Sequence, residues 1–234
     1  MTSPDLMPRD TAASAQPSPT VRIVSLRVRG AERRRLQEAA RSGKLAQVAS
    51  SDVLAEAALP RLAMQSLWLL VISAATYALL IGAARQWSHA GPLLGDGPLW
   101  LRITLLLAIN IVGYVLMIPA HEAMHALVIL ALGGRPRFGL KLPLAAYCTA
   151  PDQLFLRDGY LVVALAPLLA LSGAAVVVAA LAPNIAALLL LAFAGNVSGA
   201  IGDLEVVRDI SKHPSDTLIA DTATGYIAYH MVKR

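Results

Sequence analysis

Four long stretches of nearly unbroken apolar residues dominate the hydropathy pattern: Leu62 to Ala84, Leu99 to Leu132, Tyr160 to about Leu181, and Ile185 to about Ile201. Each reaches or exceeds the roughly 17–25 residues that a helix needs to cross a bilayer. The second is longer than required, so it is expected to tilt or to carry its last turns past the lipid. Between the first two lies a turn-rich loop with Gly91, Pro92, Gly95, Gly97 and Pro98, flanked by Trp87 and Trp100 at interfacial depth. Gly133-Gly134 closes the second span, and Pro183-Asn184 makes a tight turn before the fourth. Pro119 removes a backbone donor inside the second span, which predicts a kink or local opening just before His121; Pro167 interrupts the third.

Outside the spans the pattern is weaker. Met1 to Thr20 is rich in Ser, Pro, Ala and Thr without apolar periodicity and reads as a disordered tail. No early apolar stretch follows a basic start, so a cleaved signal peptide is not expected. Val21 to Val28 alternates loosely, as in a short strand. From Ala31 to about Leu59 the spacing of Leu36, Ala39, Ala40, Leu45, Val48 and Leu54 predicts an amphipathic helix, with Arg33, Arg34, Arg35, Arg41 and Lys44 on its other faces. Such a helix could lie on an anionic membrane surface or be an ordinary solvated one. Between spans two and three, Arg137–Leu142 and Ala145–Thr149 have strand character around Pro143-Leu144, which suits a small hairpin or re-entrant β element. Thr217 to Ala220 and Thr224 to Tyr229 are strand-like in the C-terminal segment.

The fold class expected is therefore an all-α polytopic membrane protein, with about four transmembrane helices and a small β element in the loop between spans two and three. The expected divisions are a tail (1–20), a cytoplasmic segment with an amphipathic helix (21–61), a membrane core (62–203) and a cytoplasmic C-terminal tail (204–234).

Composition agrees with a membrane class. Of 234 residues, 56 % are hydrophobic and 15 % charged, against about 25 % charged in average soluble domains. The net charge of +5 does not argue for nucleic acid, because the basic residues crowd into the N-terminal segment and the loops. Ten of the 20 Lys and Arg precede the first span, Arg85 and Arg102 lie at the facing ends of spans one and two, four fall between two and three, and four after the last. With both termini inside, 18 of them are cytoplasmic, which sets the orientation and suits the plasma (inner) membrane. The single cysteine, Cys148, permits no intramolecular disulfide and no cysteine-based zinc cluster.

The chemistry sits in the second span, at Pro119-Ala120-His121-Glu122-Ala123-Met124-His125. Histidines at i and i+4 project from one helix face and can share a metal ion, and the adjacent Glu122 can accept a proton from metal-activated water. Three ionisable groups within five residues of an apolar helix need a compensating partner, most simply a bound cation. Catalytic zinc usually takes three protein ligands, so a third must come from elsewhere. The orientation brings the cytoplasmic ends of spans two and four to one depth, and Asp203 lies there, flanked by glycine. Asp158, Glu205, Asp209, Asp216 and Asp221 compete less well, the last two lying beyond the interface. Asn196 could donate a hydrogen bond to an oxyanion, or it could only bridge helices. His89, His213 and His230 read as surface residues.

These features resemble the site-2 protease class of intramembrane zinc metalloproteases. His121-Glu122-x-x-His125, Tyr147-x-Thr149-x-Pro151, Ala164-Leu165-Ala166-Pro167 and Asn196-x-x-Gly199-x-x-Gly202-Asp203 are more closely similar to a small family of zincin peptidases. The similarity covers about Leu99 to Tyr229 and does not include the residues before Leu62. It implies zinc held by His121, His125 and Asp203, with Glu122 catalytic. The Asn-Pro-Asp-Gly or Leu-Asp-Gly motif of site-2 proteases is absent; Ser198-Gly199-Ala200-Ile201-Gly202-Asp203 stands in its place.

The expected function is a membrane-embedded Zn2+ metallopeptidase that cuts a membrane or membrane-proximal protein. The alternative is a non-catalytic metal-binding membrane module with a regulatory or scaffold role. Glu122 favours catalysis, since a purely structural site needs no base. A transporter is weaker, because four spans show no internal repeat.

Overall fold

The structure is a computed structural model that describes residues 21–25, 30–141 and 145–232; the tail expected at 1–20 lies outside them. Among the described residues, four helices are long and apolar enough to cross a membrane: α2 (Leu59–Trp87), α3 (Leu99–Ala131), α4 (Arg157–Leu181) and the stretch Leu190–Ile210. The protein is an integral, polytopic membrane protein, as the apolar pattern requires. The fourth span is preceded by a short helix, α5 (Pro183–Leu188). It divides at Ala200 into α6 (Leu190–Gly199) and α7 (Ile201–Ile210). Between spans two and three, β3 (Arg137–Lys141) and β4 (Ala145–Thr149) form the expected antiparallel hairpin.

Local chemistry accounts for the ends and contacts of these helices. α3 stops in a Schellman turn: Gly133 has φ of +84°, its N–H bonds Leu130 O at 2.8 Å, and Gly134 N–H bonds Ile129 O at 2.8 Å. α3 runs unbroken through Pro119, so no opening interrupts the helix before His121. The start of α6 is held from α3, where Asn110 Oδ1 accepts the Leu191 N–H at 2.9 Å. α2 is tied to α6 through Ser66 Oγ on Ser198 Oγ at 3.0 Å and Ser73 Oγ on Ala194 O at 3.3 Å. Small polar groups of this kind join helices where lipid offers no hydrophobic drive.

A five-stranded sheet stands beside this helical core; the sequence predicts strand character near Val21–Val28, Thr217–Ala220 and Thr224–Tyr229, but not their assembly with two further strands. Its strands run in the order β1 (Arg22–Val24), β5 (Gln153–Leu156), β6 (Leu218–Thr222), β7 (Gly225–Met231), β2 (Leu45–Asp52). Only the β1–β5 pair is parallel. Residues from before the first span and after the last thus share one sheet. The period-two rule divides its faces. Val24, Phe155, Ile219, Tyr226 and Ala228 pack with Ile129, Tyr160, Val163, Val206 and Ile210 of the helices. Ile23, Leu45, Leu154, Leu218 and Tyr229 face the other way, onto Leu36, Ala39 and Ala40 of α1 (Gly30–Arg41).

This corrects the reading of 31–59 as one helix. α1 ends at Arg41, Gly43 turns the chain with φ of +65°, and Leu45–Asp52 pairs with β7. The apolar stripe of α1 is covered by the sheet, so it is not available to lipid. Tertiary pairing overrides the weak local periodicity of Leu45, Val48 and Leu54.

The β6–β7 turn is tight against β2. A Cβ on Gly225 would collide with the backbone carbonyl of Ser51. Gly225→Ala is therefore expected to destabilise the sheet by about 1–3 kcal/mol, the usual cost of overpacking. Thermal unfolding in detergent checks this; an unchanged midpoint refutes it.

Candidate metal centre

α3 carries His121, Glu122 and His125 on consecutive turns close to its C-terminal end. Their donor atoms lie within 4.8 Å of one another, a group able to hold a metal ion. Asp203, in the first turn of α7, faces both histidines: its Oδ2 is 3.0 Å from His121 Nε2 and its Oδ1 is 3.5 Å from His125 Nε2. The break at Ala200 starts a new helix there and brings this carboxylate beside the α3 histidines.

The opposite ring nitrogens are engaged as well. His125 Nδ1 lies 2.9 Å from the carbonyl of Val163. A carbonyl only accepts, so Nδ1 carries the proton and donates. That carbonyl is free because Pro167, four residues on, has no N–H to return to it. His121 Nδ1 lies 3.0 Å from Asn196 Oδ1, and the Asn196 amide nitrogen is 3.4 Å from Pro167 O. Donation to Pro167 turns the Asn196 oxygen toward His121 and assigns the Nδ1 proton there too. One proline thus serves both histidines, through the carbonyl it leaves unpaired and through its own.

This arrangement answers whether a cation fits. With both Nδ1 atoms protonated, two Nε2 lone pairs and two carboxylate oxygens converge on one small space. A proton on each Nε2 or one shared cation reconciles them, and nitrogen and oxygen donors backed by such acceptors suit a divalent transition metal.

The other carboxylates weighed as ligands are occupied elsewhere. Asp158 pairs with Arg157 at 2.7 Å, Glu205 with Arg208 at 2.8 Å and Arg61 at 3.6 Å, and Asp209 with Lys212 at 2.8 Å. Asp216 is exposed in the turn before β6. His213 and His230 stack edge to face with centroids 6.4 Å apart, and His230 Nε2 is 2.8 Å from Thr217 Oγ1. His89 sits in the loop after α2 with φ of +48°.

A cavity of about 580 Å³ opens at the histidine cluster. Glu122, Asp203 and Cys148 line it, and its rim includes Val53 and Leu54 after β2 and the β6–β7 turn at Thr222–Gly225. β4 runs along α3, and the Cys148 backbone N–H donates to the Glu122 carboxylate. Burial, with the charges of Glu122 and Asp221 adding, pushes the Cys148 thiol up to about 12. It is therefore no nucleophile at neutral pH.

Asp221, set aside as too distant in the sequence reading, also lines this cavity. It accepts Tyr160 O–H at 2.6 Å and the Ala150 N–H at 2.9 Å, so it ties β6 to α4 and to the end of the hairpin. Burial lifts its carboxyl to about 6, against the pull of the Tyr160, Thr149 and Ala150 hydrogen bonds and nearby His125. The folded state therefore holds a proton that the unfolded chain releases near 4, and stability falls as pH rises from about 4 to about 6. Asp221→Asn is expected to remove that component. Unfolding midpoints of the two proteins across pH 4–7 check it; parallel curves refute it.

No curated protein and no solved structure matches the chain. The profile of the family described as putative zincin peptidase matches residues 114–218, a stretch holding the His-Glu-x-x-His motif, the hairpin, Asn196 and Asp203. Over those residues the chain is similar to that family of zincin-type metallopeptidases, and it carries the His121, Glu122 and His125 group able to hold a metal ion.

Proposed function

We propose that the domain binds one zinc ion through His121, His125 and Asp203 and hydrolyses peptide bonds of a membrane or membrane-proximal protein, with Glu122 as general base. The observation that supports this most is the convergence of the two Nε2 atoms with the Asp203 carboxylate, each imidazole being held from behind by an acceptor. Bound zinc supplies Lewis acidity, lowering the pKa of water and polarising a carbonyl. Glu122 takes a proton from the attacking water as its oxygen adds to the peptide carbon, then returns it to the amine nitrogen as the C–N bond breaks. The Cys148 N–H keeps the Glu122 carboxylate in place. Asn196 is assigned to positioning His121 in preference to oxyanion donation, because both ends of its amide are engaged.

We also infer the setting. The basic residues place both termini on the cytoplasmic side of the plasma (inner) membrane. The core 62–203 is then flanked by cytoplasmic segments, 21–61 and 204–234, whose strands share one sheet with β5 and whose residues Val53, Leu54 and Thr222–Gly225 line the cavity. Among the described residues β3 is the only strand partner of β4. The other edge of β4, apart from the Cys148 N–H that Glu122 accepts, is offered to an extended substrate by strand addition. Removing the β3–β4 hairpin is therefore expected to abolish cleavage and leave zinc bound; unchanged cleavage refutes the strand role. The function as a whole is tested by zinc content and membrane-proteome cleavage of wild type against Glu122→Gln. A wild type that binds zinc and cuts nothing would favour the non-catalytic module.

A further inference from the structure

Glu122 stands between two cavities, and the proposed chemistry uses only the larger. The smaller, of about 210 Å³, lies one to two turns back along α3, between α3 and α6. Tyr114, Met117 and Ile118 wall it from α3, and Gly195 and Asn196 from α6. His121, Glu122, Ala146 and Gly199 line both cavities, so the two adjoin across the reacting groups.

Two glycines one turn apart shape this space. The Tyr114 ring fills the notch where a Cβ of Gly195 would stand. At Gly199 a Cβ would meet nothing within 4 Å, and this residue is exposed although Ser198 and Ala200 beside it are buried. Its missing side chain is open volume at the junction of the two cavities. His121 and Glu122 face the junction, where the reacting bond would lie; beyond them Met117, Ile118, Ala146 and the Tyr114 ring are apolar, and the Asn196 amide is spent on His121 and Pro167. A charged side chain reaching past Glu122 would find its hydration lost and no partner from that amide. An aliphatic one would pack against Met117, Ile118 and the Tyr114 ring.

We propose that the smaller cavity receives an aliphatic, leucine-like side chain next to the bond that is cut, and that Gly199 sets the size it accepts. This rests on the metallopeptidase reading, and the experiment separates the two. The full chain, purified in detergent and loaded with zinc, is titrated with hydroxamic acids carrying a methyl, isobutyl or naphthylmethyl side chain, the hydroxamate serving as the anchor on the metal. In wild type the isobutyl compound is expected to bind at least about tenfold more tightly than the methyl, the discrimination that extra carbons in an apolar pocket provide. Gly199→Val is expected to bring that ratio close to one with zinc content unchanged. Met117→Ala enlarges the cavity and is expected to shift preference toward naphthylmethyl. Ratios within one variant are insensitive to a misfolded fraction, so loss of fold cannot mimic the shift. A wild type that takes up no zinc overturns the metallopeptidase reading and the subsite with it. Zinc-loaded wild type that binds none of the compounds, or all equally, overturns the subsite alone, as does a Gly199→Val protein that keeps the wild-type ratio.

Discussion

Glu122→Gln is expected to hold as much zinc as wild type and to lose cleavage by a factor on the order of 10²–10⁴, the range that a positioned general base contributes. Glutamine keeps the size of the side chain and an oxygen to accept the Cys148 N–H, so β4 and α3 stay in register. It cannot take a proton from water. The His121, His125 and Asp203 donors are untouched, which is why metal content and cleavage should separate in this variant. Zinc stoichiometry by mass spectrometry and cleavage of membrane proteins from the same preparations provide the comparison. Loss of both together would make Glu122 a ligand, and loss of neither would remove it from the chemistry.

Asp203→Ala is expected to do the reverse, lowering zinc affinity by more than about 100-fold, with cleavage lost for want of metal. Partners that only orient a ligand cost about 10–100-fold when removed, and a direct ligand should exceed that. Asn196→Ala supplies the internal standard. It leaves His121 without its Nδ1 acceptor and should weaken zinc within the 10–100-fold range. Competition with a chromophoric chelator measures both variants. Equal affinities for Asp203→Ala and wild type would exclude Asp203 as the third ligand. An Asn196→Ala effect as large as that of Asp203→Ala would mean that orientation, not ligation, dominates.

The legibility of this protein divides by the kind of signal involved. The four spans could be read directly because lipid requires long apolar runs and leaves no other place for them. The histidine pair and Glu122 were equally plain, since a spacing of i, i+4 on one helix is a local property. Asp203 was reached only by combining charge bias with depth, 82 residues away in sequence from His121. Three of the sheet's strands were legible singly, but their assembly with β2 and β5 was not, because the strands are three to eight residues long and come from three separated parts of the chain. Short apolar runs such as Gln153–Leu156 do not distinguish a strand from a helix turn or a loop by themselves. In Leu45–Asp52 the periodicity pointed to helix, and pairing with β7 prevailed.

The sequence by itself determined that this chain spans a membrane and that a histidine pair able to hold a metal ion, with Glu122 beside it, lies inside a span. Both follow from residue types and spacings within one helix. Only the tertiary structure decided how the site is held. The Val163 carbonyl becomes an acceptor for His125 because Pro167 frees it and because α4 packs against α3 at that level. Asp221 reaches the cavity because β6 lies beside β5 at the start of α4. The room beside Glu122 exists because α6 meets α3 through two glycines. Each is a contact between distant segments, and its geometry is fixed by packing that no local pattern encodes.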